Sequence, residues 1–168
     1  MTPARSAQEQ AGRRRQYYQD ATAPRPDNVL AAAFAVVRDD EARVLLVRRV
    51  DDGNWELPGG RIDVGESASA AAAREVAEEA GVEVLITDLV GVYSDPGHVL
   101  AYPDGAVHQQ LAVCFRGWPT GGEVRPDGSE TDAAEWFDPL DTVELPMHPA
   151  VRRRLLHALG ETPSAQFD

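Results

Sequence analysis

The chain has little cysteine and no long apolar run. Its single cysteine, Cys114, excludes an internal disulfide, and its apolar neighbours (Leu-Ala-Val-Cys-Phe) indicate a core side chain in a reducing compartment. The apolar run at residues 29–37 is too short for a membrane span and lies too deep in the chain for a signal peptide. We therefore expect a cytoplasmic protein that does not bind a membrane.

The chain also has fewer positively than negatively charged residues. The 168 residues carry 16 Lys and Arg against 28 Asp and Glu, which gives a formal net charge of −12 at pH 7. This balance disfavours nucleic acid as a partner, and the sequence contains no recognisable helix-turn-helix or other nucleic-acid module. A small polyanionic substrate would therefore need a metal ion and local arginines in order to bind.

The length of the chain fits one domain with extensions, and no internal repeat is present. We assign residues 1–28 to an N-terminal extension, residues 29–160 to the domain and residues 161–168 to a C-terminal tail. The extension is expected to be partly disordered or to form a short helix at residues 13–18. The tyrosines of that helix would pack on the domain or on a second copy of the chain in a homodimer.

Apolar periodicity predicts a mixture of strands and helices. Residues 29–37 and 43–49 are predicted to be strands that pair as a hairpin, and residues 117–128 to be a glycine- and proline-rich loop. Residues 149–159 are typical of an amphipathic helix with proline in its first turn. Periodicity alone supports an α/β or α+β class. Further strands are expected at residues 84–93 (one or two strands), 107–116 and 134–137.

A central helix is predicted at residues 68–80, which are nearly all strong helix formers. Ser67 precedes them and is suited to accept hydrogen bonds from the first turn. Gly81 follows them and can adopt the left-handed conformation that commonly ends a helix. The sequence therefore predicts both ends of this helix.

Three glutamates in this helix, Glu75, Glu78 and Glu79, stand at positions i, i+3 and i+4. They share one side of the helix within about 100°, and like charges at this spacing cost about 0.3 kcal/mol. A hard divalent cation such as Mg²⁺, which also bridges phosphate oxygens, is a natural counter-charge. On these residues alone, a solvated helix face with Arg74 among its partners is the simpler interpretation.

A longer pattern surrounds these glutamates. WELPGG at residues 55–60 is followed by Glu66 and then by REVAEEAGV at residues 74–82. This pattern resembles the Nudix box, the signature of the Nudix hydrolases, at every defined position. The resemblance implies an α/β/α sandwich around a mixed β-sheet. It also implies metal-dependent hydrolysis of the diphosphate linkage in a nucleoside diphosphate joined to a further group, X.

The resemblance implies a role for each matching residue. The metal would be Mg²⁺, with Mn²⁺ as a substitute, and Glu79 and Glu78 would be its first ligands, followed by Glu75 and the carbonyl of Gly59. Glu66 would contact the metal or hold the loop, and Arg74 would orient a glutamate. In this family the general base often lies in a late loop, where Glu130 is the candidate. Candidate substrate contacts are Arg48, Arg49, Arg61, Tyr93 and His98.

The identity of X stays open at this stage, with ADP-ribose or a nucleotide sugar favoured, or a nucleoside triphosphate. Two other functions are compatible with the same fold. A non-catalytic nucleotide-binding regulator usually lacks some of the box glutamates, whereas this chain keeps Glu75, Glu78 and Glu79. An isopentenyl diphosphate isomerase needs a catalytic cysteine, and the apolar neighbours of Cys114 do not suggest one.

Overall fold

A computed structural model describes residues 13–160 and 164–168 of the chain. Within them, the two α-helices are α1 (Ala68–Ala80) and α2 (Pro149–Leu159), and a 3-10 helix spans Asp141–Glu144. No helix in this part of the chain is long and apolar enough to cross a membrane. The strands are β1 (Arg15–Tyr18), β2 (Asn28–Val37), β3 (Val44–Arg49), β4 (Trp55–Glu56), β5 (Gly59–Arg61), β6 (Val82–Tyr93), β7 (His98–Ala101), β8 (Val107–Gly122), β9 (Thr131–Phe137) and β10 (Gln166–Phe167).

The larger sheet is mixed and has β8 at its centre. Its strands run in the order β1-β7-β8-β2-β5, while β6 pairs with β8 as well and β10 pairs with β6. The β2 and β8 strands are parallel, whereas β6 and β7 are antiparallel to β8. The smaller sheet has the order β4-β3-β9.

Strand β2 is buried on both faces, which explains why its sequence is a continuous apolar run rather than an alternating one. Its alternate side chains enter two separate cores, one beneath each helix. The predicted α/β/α sandwich is thereby confirmed. Ala32, Phe34 and Val36 pack with Val151, Leu155 and Ala158 of α2, and Ala33, Ala35 and Val37 pack with Ala71, Ala72, Val76 and Ala80 of α1.

The predicted hairpin between the first two domain strands is wrong. Strand β3 pairs with β4 and β9 in the smaller sheet, and among the described residues its backbone pairing next to β2 is limited to the isolated bridge between Arg38 and Val44. The reason is that both edges of β2 are already taken, one by β8 and the other by β5. Strand β3 therefore has no edge of β2 to pair with.

The glycine- and proline-rich segment predicted as a loop is partly strand. Strand β8 continues to Gly122 and stays paired with β6, whose single run covers Val82–Tyr93. Register shifts interrupt this pairing, one of them between Glu83 and Val84 opposite Gly121 and Pro119. Bulges of this kind accommodate glycine and proline, which disfavour regular strands. The glycine and proline content of this segment therefore predicts a loop where the structure has a strand.

The described residues at both ends of the chain add strands to the larger sheet. Arg15–Tyr18 pairs antiparallel with β7, so the predicted short helix is wrong, and the part of the predicted extension at residues 1–12 lies outside the described residues. Residues 161–163 of the predicted tail also lie outside them, while Gln166–Phe167 pairs parallel with β6. The Asp168 carboxylate accepts hydrogen bonds from the backbone of Ser94 and Asp95. The domain boundaries themselves stay predictions.

Candidate active site

Helix α1 is held so that its glutamates face a cavity. The Ser67 hydroxyl accepts a hydrogen bond from the Ala70 N–H at 3.2 Å, and Gly81 ends the helix with a φ of 71°. Both predicted caps are therefore confirmed. The opposite side of the helix is fixed by burial against the sheet, which sets the rotation of the helix about its axis. The buried small side chains on that side are Ala71, Ala72, Val76 and Ala80.

The cavity has a volume of about 440 Å³ and is lined by two chemically different groups of residues, which we call its charged end and its apolar end. This volume lies within the usual range for small-molecule sites. One end is charged and is lined by Glu56, Glu75, Glu78 and Glu130 together with Arg14, Arg49, Arg61 and Arg74. The other end is mainly apolar and is lined by Leu30, Ala32, Phe34, Leu100, Tyr102 and Gln110.

Glu79 lies behind the wall of the charged end, where it is only 3% exposed. Its carboxylate accepts a hydrogen bond from the Gly59 N–H at 3.0 Å, and its other oxygen lies 3.5 Å from Nη1 of Arg49. Burial raises the pKa of Glu79 to about 8, with further raising by the charges of Glu56 and Glu75, against the lowering effects of Gly59 and Arg49. A carboxylate in this position needs a cationic neighbour to remain ionised at neutral pH.

Arg49 supplies positive charge at the centre of this acidic group. Its guanidinium lies 3.2 Å from Asp51, 3.8 Å from Glu56, 3.5 Å from Glu79 and 3.4 Å from Glu130. Although burial opposes the charge, the carboxylates of Glu56, Asp51 and Glu79 hold the pKa of Arg49 above its usual value. The predicted substrate contact Arg49 thus lies in the cavity wall, and it joins the helix glutamates to the loop that carries Glu130.

Arg74 organises the outer glutamates. It donates hydrogen bonds to Glu66 at 2.7 Å, to Glu75 at 2.9 Å and to Glu78 at 3.1 Å. Hydrogen bonds from Arg74 and from the backbone of Asp63 lower the pKa of Glu66 to about 2. The Glu66 carboxylate therefore holds Arg74 and the preceding loop. Glu66 does not line the cavity, but Arg74 links its carboxylate to those of Glu75 and Glu78, and its role as a metal ligand stays a prediction.

Glu130 lies at the rim of the cavity, on the loop before β9. One Asp127 carboxylate oxygen accepts hydrogen bonds from the backbone N–H groups of Glu130 and Thr131, at 2.9 Å each. The Thr131 hydroxyl donates to the backbone carbonyl of Glu79 at 3.0 Å, which ties this loop to α1. The Glu130 side chain is 64% exposed and is therefore accessible to solvent. This position is compatible with the predicted general base.

The other predicted substrate contacts divide into two groups. Arg61 lines the cavity, whereas Arg48 lies outside it, where it pairs with Asp132 at 2.7 Å. Tyr93 and His98 must be corrected, because both are buried away from the cavity. The Tyr93 hydroxyl lies 2.8 Å from Nδ1 of His157 beneath α2.

His98 belongs to a buried cluster on the far side of the sheet from α1. Its ring stacks on that of His148, with centroids 5.4 Å apart. Burial lowers the pKa of His98 to about 3, with further lowering by Arg154, His148 and Arg14. Burial likewise lowers the pKa of His148 to about 4, helped by Arg154 and Arg14 and opposed by Asp52. Both rings are therefore neutral at physiological pH.

Three residues of the cavity wall were missed by the sequence analysis. Glu56 is 8% exposed, and its place in the lead-in before Gly59 could have suggested it. Arg14 reaches the wall because β1 pairs with β7, and it lies 3.9 Å from Glu56. No local pattern signals this pairing. The third residue is Gln110 of β8, which is buried and lines the apolar end of the cavity.

The donor set of the charged end suits a hard divalent cation, because it consists of carboxylate oxygens. In the described part of the chain, no three Asp, Glu, His or Cys side chains converge closely enough to hold a metal ion. Arg49 and Arg74 instead contact the glutamates directly. The chemistry of the donors fits a divalent cation, with these arginines as the present counter-charges.

The chain belongs to the Nudix family, since the model of the NUDIX domain matches residues 29–159. It is 39% identical over 141 residues to a MutT-like protein of Streptomyces ambofaciens, which covers 84% of this chain and 82% of that protein. It is also 41% identical over 107 residues to a Bacillus subtilis protein that is provisionally named an 8-oxo-dGTP diphosphatase. This match covers 64% of this chain and 65% of that protein.

Among solved structures, the fold matches an ADP-ribose pyrophosphatase of Streptococcus suis. The two chains are 26% identical with a TM-score of 0.63, and the match covers 83% of this chain and 98% of that one. With this family membership, the protein is an enzyme of the Nudix pyrophosphohydrolase class, whose members generally use divalent metal ions.

Proposed function

We propose that this protein is a Mg²⁺-dependent hydrolase, with Mn²⁺ as a substitute, that cleaves the diphosphate linkage of a nucleoside diphosphate joined to X. The observation that carries the proposal is the two-ended cavity. Its charged end is suited to a metal-bound diphosphate, and its apolar end is suited to a nucleoside or to X. The proposed substrate is ADP-ribose, a nucleotide sugar or a nucleoside triphosphate.

Glu75, Glu78 and Glu79 would hold the cation, together with the backbone of Gly59. They supply hard oxygen donors from one face of α1, next to the strand that carries Gly59. When bound, the cation would neutralise charge on the diphosphate and make a water molecule more acidic. Arg74 would keep Glu75 and Glu78 oriented, as it does through its hydrogen bonds at 2.9 and 3.1 Å.

The remaining charged side chains would act on the substrate. Arg61 lies at the surface of the cavity, and Arg49 in its wall, where each can bind phosphate oxygens. Glu130 would accept a proton from the attacking water, since its carboxylate is exposed at the rim. The reaction consumes one water and converts one phosphoanhydride bond into two terminal phosphate groups.

Two similar proteins support a nucleotide as the substrate. They are the protein provisionally named an 8-oxo-dGTP diphosphatase and the ADP-ribose pyrophosphatase. Their names differ in the group attached to the diphosphate, so they favour the reaction more strongly than any one substrate. The apolar end of the cavity is where these substrates would differ.

A substrate panel tests the proposal. ADP-ribose, nucleotide sugars, dinucleoside polyphosphates and normal and oxidised nucleoside triphosphates would be incubated with Mg²⁺ or Mn²⁺, and the products separated by chromatography. Glu79→Gln should lower turnover by orders of magnitude with little change in Tm, because it removes a charged ligand but keeps an acceptor for the Gly59 N–H. Glu135→Gln, an exposed position outside the cavity, is the matched control.

Each result of the panel has a definite meaning. Metal-dependent turnover of one class, lost in Glu79→Gln but kept in Glu135→Gln, would support the proposal and identify X. Tight binding without turnover would favour the nucleotide-binding regulator instead. Near-full activity of Glu79→Gln would show that the metal assignment is wrong.

A further inference from the structure

A buried arginine lies beneath the apolar end of the cavity. Arg154 of α2 is 1% exposed, and within residues 13–160 and 164–168 no carboxylate oxygen lies within 4.0 Å of its guanidinium. Its charge is instead surrounded by aromatic rings, with Cζ 4.7 Å from the Phe34 ring centroid and 5.6 Å from that of Tyr93. Its short polar contact is a hydrogen bond to the side-chain oxygen of Gln110 at 2.9 Å.

This contact fixes the orientation of the Gln110 amide. A guanidinium has only donors, so the atom of Gln110 that faces Arg154 must be the carbonyl oxygen. The amide nitrogen then lies on the other side of the group. Among the described residues, Nε2 of Gln110 has no hydrogen-bond partner, although the residue is 4% exposed. Its two N–H groups are therefore directed donors without a protein acceptor.

Gln110 lines the same cavity as the glutamates, at its apolar end. Phe34, Leu30, Leu100 and Tyr102 surround it there and offer surface to a flat ring. Nε2 is not among the buried unpaired atoms of the described residues, so water in the cavity can reach it. A ligand that replaces this water with an acceptor keeps the hydrogen bond, whereas a ligand without an acceptor there loses it. The positive charge of Arg154 on the amide oxygen strengthens the N–H donors further.

We propose that Gln110 is a specificity-determining residue that donates a hydrogen bond from Nε2 to an exocyclic oxo group on the nucleobase of the substrate. Arg154 is the positioning residue that prevents the amide from turning over. This inference rests on the proposed function and narrows its substrate class to nucleotides with oxo-bearing bases. A base with an exocyclic amino group at the same place would bind more weakly, because the amino group and Nε2 of Gln110 are both hydrogen-bond donors.

The test uses pairs of nucleotides that differ in this group and in the hydrogen on the neighbouring ring nitrogen, so the variants at Gln110 must show which difference is read. ITP and ATP form one pair, UTP and CTP the other, and each is measured both for binding by calorimetry and for Mg²⁺-dependent turnover. The wild-type protein should bind the oxo member of at least one pair about tenfold more tightly, the usual size of one well-made hydrogen bond. Because binding is measured separately, absence of turnover would count against the proposed function alone.

Two substitutions at Gln110 make the test decisive. Gln110→Leu keeps the size but removes the donor, so the tenfold preference should vanish through weaker binding of the oxo member. Gln110→Glu presents only acceptors and pairs with Arg154, so the preference should reverse, and this variant serves if Gln110→Leu does not fold. Gln109→Leu is the matched control, because its side chain bonds to the Ser94 carbonyl and does not line the cavity.

The role of Arg154 has its own readout. Arg154→Met should allow the amide to turn over, so both members of a pair should bind about equally well, whereas Arg154→Lys should keep the preference by retaining a donor. An unchanged ratio within both pairs in Gln110→Leu would overturn the proposal. So would a wild-type protein that binds both members of each pair equally.

Discussion

Replacing Gly60 by alanine offers a sharp test of the glutamate geometry. A Cβ at this position would lie 2.6 Å from Oε1 and 2.8 Å from Cδ of Glu75, whereas ordinary contact begins at 3.4 Å. The carboxylate must therefore retreat by about 0.8 Å, which breaks its 2.9 Å hydrogen bond from Arg74. A displacement near 1 Å at a catalytic site can cost about 100-fold in rate.

Stability should change far less than activity in Gly60→Ala. The clash is with the end of a flexible side chain, so we expect a loss of about 1 kcal/mol, at the low end for overpacking. Gly59→Ala is different, because its Cβ would meet the backbone of Ala33 and Phe34 and disrupt the β2–β5 pairing. Measurements of kcat, of the Mg²⁺ dependence of the rate and of Tm separate these two effects.

Gly117→Ala is the control for adding a methyl group to a buried strand glycine. Its nearest neighbour would be the Val37 side chain at 3.5 Å, an ordinary contact, and the residue does not line the cavity. We expect near wild-type kcat and Tm. If Gly60→Ala also kept its activity within about threefold, well short of the expected 100-fold loss, the position of Glu75 would be irrelevant to turnover.

Three further predictions concern the rim, the buried histidines and the cap of α1. Glu130→Gln should lower kcat by about 100-fold or more while leaving the Mg²⁺ titration unchanged; weaker Mg²⁺ dependence would instead make Glu130 a ligand. His98 and His148 have folded pKa values of about 3 and 4, below the unfolded value of about 6.5. Below pH 6.5 the unfolded chain binds protons that the folded protein does not, so the free energy of unfolding falls as the pH is lowered. The loss is about 1.4 kcal/mol per pH unit for each ring down to about pH 4, and none of it is present above pH 6.5. The raised pKa of Glu79 changes stability in the opposite direction over the same range, so the loss should be measured by urea unfolding of the Glu79→Gln variant at pH 7 and pH 5. Equal stability of that variant at both pH values would refute it. Ser67→Ala should lower the free energy of unfolding by about 1 kcal/mol in the same assay at pH 7. An unchanged free energy of unfolding would show that the Ser67 cap does not stabilise the protein.

The features predicted correctly from the sequence are those set by neighbours along the chain. The caps of α1 at Ser67 and Gly81 and the shared side of Glu75, Glu78 and Glu79 follow from helical geometry alone. The double-sided burial of β2 also follows from its uninterrupted apolar residues. These local signals suffice to locate the charged end of the cavity.

The errors arise where distant segments decide the outcome. Strand β3 was assigned to the wrong partner because the competitors for β2, which are β5 and β8, are recruited from later in the chain. Tyr93 and His98 are residue types that could stack on a base or touch phosphate, yet both are buried and neither lines the cavity. Gln110 and Arg154 lie 44 residues apart, and only the packing of α2 on the sheet brings them together.

The two ends of the described chain each cover part of an edge of the larger sheet. Strand β1 covers the outer edge of β7, and β10 covers the edge of β6, so each fills a row of backbone groups that would otherwise be unpaired. An uncovered edge is a template on which a second sheet can grow. Cutting the chain within either terminal segment would therefore expose an aggregation-prone edge, even though neither strand belongs to the catalytic helix. Strand β1 has a second consequence as well, because its pairing with β7 is what brings Arg14 to the cavity wall.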